Sequence, residues 1–232
     1  MDKNVCRPTG NRVFSRHLST RAVVVLAALT FAIRVVAGEP PVGGPLVDQP
    51  APPFELQDSE GQWHKLSDYK DKIVVLHFQS CACPWDIAYQ PVLNRLARKF
   101  LQMNPDGTTV ERVKFLAINA NHSESIEQIK QYVVQTAMPY AVLKDVGNQV
   151  ADAYAAITTP HIFVINKNNQ QTLAYKGGIE KAPLSPPHCG ESEIQYLEPV
   201  LWALLNGTAP PFSQTRSIGC SIKRITHPNP GG

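Results

Sequence analysis

Apolar and polar positions along the chain follow two periods, one of strands and one of helices. Lys72 to Phe78 (KIVVLHF) is a β-branched apolar run, the pattern of a strand buried on both faces, and Val113 to Ile118 repeats it. After Pro84, which suits the first turn of a helix, apolar residues recur at Ile87, Val92, Leu93, Leu96, Phe100 and Leu101 with helical spacing. Ser123 to Met138 predicts a second amphipathic helix, Tyr140 to Leu143 a short strand, and Val146 to Ala156 a third helix. His161 to Ile165 and Gln171 to Tyr175 predict a hairpin around Asn166-Lys167-Asn168-Asn169, and Glu191 to Leu205 a last helix. Upstream, Phe54-Glu55-Leu56 reads as a strand running into the polar turn Asp58-Ser59-Glu60-Gly61. Alternating strands and helices that close on an antiparallel hairpin predict an α/β fold: a central mixed sheet flanked by helices, with an N-terminal β-hairpin extension.

Length changes this picture little. A chain of 232 residues with 43% hydrophobic content supports one domain with a sizeable core. Residues 38–53 (GEPPVGGPLVDQPAPP) carry no periodicity and are expected to tether the domain to what precedes it. The expected organisation is a signal peptide at 1–37, a Pro/Gly-rich linker at 38–53, the domain at 54–225 and a tail at 226–232.

Charge matters for its distribution. Six of the 22 basic residues and one of the 19 acidic ones precede Gly38, so the remainder carries a net charge of about −2. Nothing in that remainder suggests a nucleic-acid footprint. The basic leader runs to Arg21, is followed by an apolar run from Ala22 to Ile33, and reaches small residues at Ala37-Gly38, the pattern of an export signal. A membrane anchor over Ala22 to Ala37 is the alternative. No further membrane contact is expected, and both readings place the domain outside the cytoplasm.

The chemistry is expected in Cys81-Ala82-Cys83-Pro84. A cysteine just after a buried strand and just before a helix meets the unpaired N–H groups and positive dipole end of that helix, which favour a thiolate. At the carboxyl edge of a sheet it can also be reached by a substrate. Besides Cys6 in the leader, the cysteines are Cys81, Cys83, Cys189 and Cys220; four cysteines in an exported protein permit three pairings, and spacing does not choose among them.

These residues resemble the redoxin (AhpC/TSA-like) branch of the thioredoxin superfamily, in particular the extracytoplasmic thioredoxin-like redoxins of bacteria. The resemblance covers about residues 50 to 225 and rests on Ala51-Pro52-Pro53-Phe54, Leu66-Ser67-Asp68-Tyr69, Cys83-Pro84, Val142-Leu143-Lys144-Asp145 and Thr158-Thr159-Pro160. Ile218-Gly219-Cys220-Ser221-Ile222-Lys223-Arg224 is similar to the tail of a bacterial subgroup. The resemblance implies a thioredoxin-like fold with Cys83 as nucleophile and Asp86 where a second cysteine of Cys-x-x-Cys would stand. It also implies that Thr159-Pro160 is a cis element facing Cys83, with Pro160 shaping the substrate edge. His77 falls where thioredoxins carry a buried acid; it could take a proton from a resolving thiol, or be hydrogen-bonded core.

The expected activity is thiol-disulfide exchange with protein thiols or disulfides, or with a reducing partner, without a bound cofactor or metal. Cys220 is the expected resolving thiol, and Cys81 and Cys189 are its competitors; a purely structural Cys189–Cys220 bridge remains open. A thiol peroxidase is an alternative, since Ser80 supplies a hydroxyl three residues before Cys83, although Leu76 holds the position of the family's upstream proline and no arginine matches its activating one. A copper-binding chaperone using Cys81, Cys83, His161, His188 and Cys189 is another, and a redox-inert binding domain a third. Trp85 reads equally as substrate-facing or packed. Asn121-His122-Ser123 and Asn206-Gly207-Thr208 match glycosylation acceptors.

Overall fold

The computed structural model describes residues 44–103, 109–181, 185–186, 189–190 and 192–225. The leader, Cys6 and His188 lie outside them. A short hairpin comes first, with β1 (Glu55–Gln57) antiparallel to β2 (Trp63–Lys65), followed by a single helical turn at Leu66–Tyr69. β3 (Ile73–Gln79) is buried along its whole length. It leads into α1 (Pro84–Lys99), where Pro84 occupies the first turn and Arg98 and Lys99 in the last turn complement the helix dipole.

β4 (Leu101–Met103) and β5 (Thr109–Glu111) form an antiparallel hairpin that the apolar pattern did not predict. Leu101, expected on the buried face of the helix, instead opens β4 and is 48% exposed. β6 (Val113–Asn119) and α2 (Ile126–Gln135) follow, α2 starting on a Ser125–Gln128 capping box. After β7 (Val142–Lys144) comes α3 (Gln149–Ala153), shorter than expected because Asn148 at its N-cap is left-handed, with φ 63°. β8 (Thr158–Thr159), β9 (His161–Ile165), β10 (Leu173–Gly177), α4 (Leu197–Leu205) and β11 (Cys220–Ser221) follow among the described residues.

The central sheet has the order β10-β9-β3-β6-β7. β3, β6 and β7 are parallel, as the intervening helices allow, while β9 is antiparallel to β3 and β10 to β9. This is the mixed, helix-flanked sheet of a thioredoxin-like fold. Strand alternation divides the core. Ile73 and Val75 face α1, α2 and α4, whereas Val74, Leu76 and Phe78 face Phe54, Leu66 and α3.

The second half of the expected linker is docked rather than free. Asp48 N donates to Leu173 O, Leu173 N to Gln49 O and Ala51 N to Gln171 O, which lays residues 48–51 along the start of β10.

His161 yields a pH prediction. It is 9% exposed, packs its ring 4.5 Å from that of Phe163, and its Nδ1 has no hydrogen-bond partner. Burial, then repulsion from Lys176, pushes its pKa from 6.5 down to about 4. Below pH 6.5 the unfolded chain therefore binds a proton that the folded chain refuses, and stability falls as pH drops from 6.5 towards 4. The loss across that window is about 3 kcal/mol. His161→Leu should flatten it in denaturant titrations at pH 7, 5.5 and 4; an unchanged slope would assign the acid sensitivity elsewhere.

Candidate active site

The N-cap of α1 is Cys83, with extended backbone (φ −80°, ψ 119°), and its side chain makes no capping hydrogen bond to the first turn. The residue is 2% exposed, and its thiol donates to the carbonyl oxygen of Thr159 at 2.9 Å. The Thr159–Pro160 peptide is cis, as the resemblance implied. Thr159 belongs to β8, which pairs antiparallel with β11 so that Thr159 stands opposite Cys220. Gly219 passes so close that a Cβ there would meet Thr159 O at 2.0 Å. Cys83 and the tail thus converge on one carbonyl group, and burial together with the nearby Cys83 pushes the Cys220 thiol up.

The tail is fastened on both sides of Cys220. Ahead of it, Thr158 Oγ1 donates to Ser217 Oγ at 2.9 Å. Beyond it, Ile222 is buried and its N–H donates to Ile157 O at 3.1 Å. Lys223 N donates to Asn121 Oδ1 at 2.6 Å, Arg224 Nε to Asp152 Oδ1 at 2.7 Å, and Ile225 N to Asn148 Oδ1 at 2.9 Å. Asn121, one of the two glycosylation-type asparagines, is buried and spends its side chain on this clamp.

The other two thiols face elsewhere. Cys81 Sγ lies 3.7 Å from Gln79 Nε2 and 4.0 Å from Asn119 Nδ2. Burial pushes its thiol up to about 12, the hydrogen bond from Gln79 opposing and the Glu124 carboxylate reinforcing the shift. Cys81 is therefore a protonated thiol at neutral pH. Cys189 lies in a loop packed against the core beside α1, and burial pushes its thiol up to about 11, with Tyr89 opposing the shift. Its loop is held by Glu180, which accepts from Tyr89 Oη at 3.1 Å, Ser192 N at 3.1 Å, Gln195 Nε2 at 2.7 Å and also from Gly190 N. The four described cysteines carry free thiols, and Cys189 is not paired with Cys220.

Beneath Cys83 lies a buried pair that the sequence reading did not assemble. His77 Nε2 is 2.8 Å from Asp86 Oδ1, and Ser80 N donates to Asp86 Oδ2 at 2.6 Å; both side chains of the pair are fully buried. Burial raises the Asp86 pKa above the ordinary carboxylate value, against the pull of His77 and the Ser80 N–H. The acid thus occupies the position of the absent second cysteine, and His77 is its hydrogen-bonded partner. The pairing was readable in principle: His77 shares its parity along β3 with Ile73 and Val75, which face α1.

Glu124 is the second residue missed. It accepts from Ser80 Oγ at 2.6 Å, Cys81 N at 2.9 Å and Asn119 Nδ2. Burial alone would raise its pKa, but these hydrogen bonds hold it below the ordinary value, so it is a carboxylate that shapes the loop ahead of Cys83. Ser80 Oγ is consequently engaged by Glu124 and by the N–H of Ala82 at 3.2 Å. Trp85 packs, partly buried, against the core beside α1. Among the described residues no three His, Cys, Asp or Glu side chains form a metal-ligating group, and His161 lines a different cleft with Lys176 and Arg216.

A thioredoxin-like sheet, a cysteine capping the helix after its central strand and a cis-proline strand beside that cysteine define a redox-type thiol protein. A model of the AhpC/TSA family matches residues 47–174, more than half of the chain, and the chain belongs to that family. It is 27% identical over 165 residues to the thiol-disulfide oxidoreductase ResA of Bacillus subtilis strain 168, covering 69% of this chain and 83% of the relative. The ResA of Bacillus thuringiensis subsp. konkukian strain 97-27 is 27% identical over 138 residues, 60% of this chain and 74% of the relative. Among solved structures, an uncharacterized conserved protein of Geobacillus kaustophilus is 30% identical with a TM-score of 0.65, covering 79% of this chain and 94% of that one. A hypothetical protein of Sinorhizobium meliloti 1021 is 26% identical with a TM-score of 0.67, over 78% and 96% of the two chains.

Proposed function

We propose that this protein is an extracytoplasmic thiol-disulfide oxidoreductase whose redox couple is Cys83 and Cys220. The observation that carries this reading is the placement of both thiols on Thr159: Cys83 through its hydrogen bond to the carbonyl oxygen, Cys220 through strand pairing. Two cysteines held on the same residue, one of them at a helix N-cap, can pass between dithiol and disulfide without the chain refolding. Cys83 supplies the thiolate that closes on Cys220, and the buried Thr159 and Pro160, covered by the tail at Gly219, form the bed on which the pair sits rather than an open substrate edge. Cys81 lies against Gln79 and Asn119, and Cys189 belongs to the loop held by Glu180, so neither shares Thr159 with Cys83 as Cys220 does. Export rests on the leader sequence; among the described residues, no helix is long and apolar enough to cross a membrane.

In a dithiol–disulfide exchange assay with a two-cysteine peptide, Cys83→Ser and Cys220→Ser should each lower turnover by about 100-fold or more. Cys189→Ser should leave it within a factor of about two. Full activity in the Cys220→Ser variant would overturn the pair. A fast reaction of that variant with hydrogen peroxide, leaving a sulfenic acid on Cys83, would move the protein to the peroxidase side of the family.

A further inference from the structure

The two sulfurs of the couple are not equivalent. Cys83 is 2% exposed, its thiol directed at Thr159 O, and the peptide chain of Gly219 presses on that same oxygen. Cys220 is only partly buried and lies on a two-residue strand at the protein surface, next to the exposed Ser221. Thiol–disulfide exchange is an in-line displacement, so the attacking sulfur needs open space opposite the departing one, and the sulfur that leaves is the one whose thiolate is better stabilised.

Resting on the oxidoreductase reading above, we propose that Cys220, not Cys83, is the sulfur that exchanges with the substrate, and that Cys83 is the buried leaving and resolving group. In the oxidising direction, a substrate thiolate attacks Sγ of Cys220 in the Cys83–Cys220 disulfide. A substrate–Cys220 bond forms, the Cys83–Cys220 bond breaks, and the electron pair leaves on Cys83 as a thiolate at the N-terminus of α1. The second substrate thiolate then attacks its own sulfur in the mixed disulfide, releasing substrate disulfide and the Cys220 thiolate. The protein has gained two electrons and the substrate dithiol has lost two; the two protons released from the substrate thiols balance those taken up by the protein dithiol. In the reducing direction the same steps run backwards, with Cys220 attacking and Cys83 resolving.

Two further observations favour this order. Burial, with the neighbouring Cys83 adding to it, pushes the Cys220 thiol up to about 11, so a departing Cys220 thiolate would be poorly stabilised. The clamps from Ile222 to Ile225 hold the tail in place while the bond to Cys83 is open, so the mixed disulfide stays at the surface with Cys83 underneath it.

The test uses the full wild-type protein. Its Cys83–Cys220 disulfide is first formed and verified by mass mapping. It is then mixed with an excess of a peptide carrying one cysteine, quenched in acid within milliseconds to seconds, alkylated and mapped again. The proposal expects peptide on Cys220 in at least ten-fold excess over Cys83, with Cys83 recovered as the alkylated thiol. Peptide on Cys83, or equal amounts on both, overturns the assigned order while leaving the oxidoreductase reading intact. Failure of the Cys83–Cys220 disulfide to form at all overturns both.

Discussion

Gly219→Val should slow disulfide formation between Cys83 and Cys220 by about 100-fold or more. The argument is steric and local. A Cβ at Gly219 would stand 2.0 Å from Thr159 O, with the Thr159 carbonyl carbon at 2.6 Å and Pro160 N at 3.1 Å behind it. Those atoms are backbone of the cis element and cannot rotate aside as a side chain could. The tail has to lift from β8, and Cys220 then becomes a thiol on a loose tether. A flexible tether supplies an effective concentration in the millimolar range, far below that of two groups fixed in contact. The rate of free-thiol loss under a fixed excess of oxidised dithiothreitol reads the effect. A wild-type rate in the variant would mean that the clamps beyond Cys220 position it without the Gly219 contact.

Asp86→Ala should lower stability by about 3 to 5 kcal/mol, the cost of removing one member of a buried, hydrogen-bonded ionisable pair. The substitution strands His77 Nε2 and the Ser80 N–H, both buried, without their carboxylate acceptor. Asp86→Asn should cost less, because an amide oxygen still accepts one of the two hydrogen bonds. Urea midpoints at pH 7 for the two variants check this, with the alanine variant expected well below the asparagine one. Equal midpoints would show that the pair contributes through shape alone.

Much of the frame was legible because it depends on short-range pattern. The run Ile73 to Phe78 is a buried strand from its β-branched residues alone, and Cys83-Pro84 marks the strand-to-helix junction. Thr159-Pro160 and the tail around Cys220 were readable from resemblance, which carried information about partners 61 residues apart that no periodicity holds. The misses have specific causes. Leu101 continues the helical spacing, but Phe100 caps α1 with ψ near 1°, and the chain turns into a strand. The last helix starts at Leu197 rather than near Glu191 because Glu180 draws Gly190, Ser192 and Gln195 into a loop. Glu124 stayed hidden since a carboxylate ahead of an amphipathic helix looks like part of a solvated cap, and only the fold brings it onto Ser80 and Cys81. The Asp86–His77 pair spans a strand and the helix after it, and required the parity of β3 to be read together with the first turn of α1.

The union of a residue near the middle of the chain with one close to its end has a consequence in polymer terms. A bond between Cys83 and Cys220 would close a ring of about 140 residues, nearly the whole domain. In the chain-entropy description, such a ring removes about 5 kcal/mol of freedom from the unfolded ensemble. The folded backbone changes little, since strand pairing already sets Cys220 opposite Thr159 and Cys83 is bonded to the same residue, so most of that difference falls on the disordered chain. Each two-electron turnover would then also switch how many shapes the protein can reach when it opens, and the dithiol form would be the more forgiving of the two to unfold.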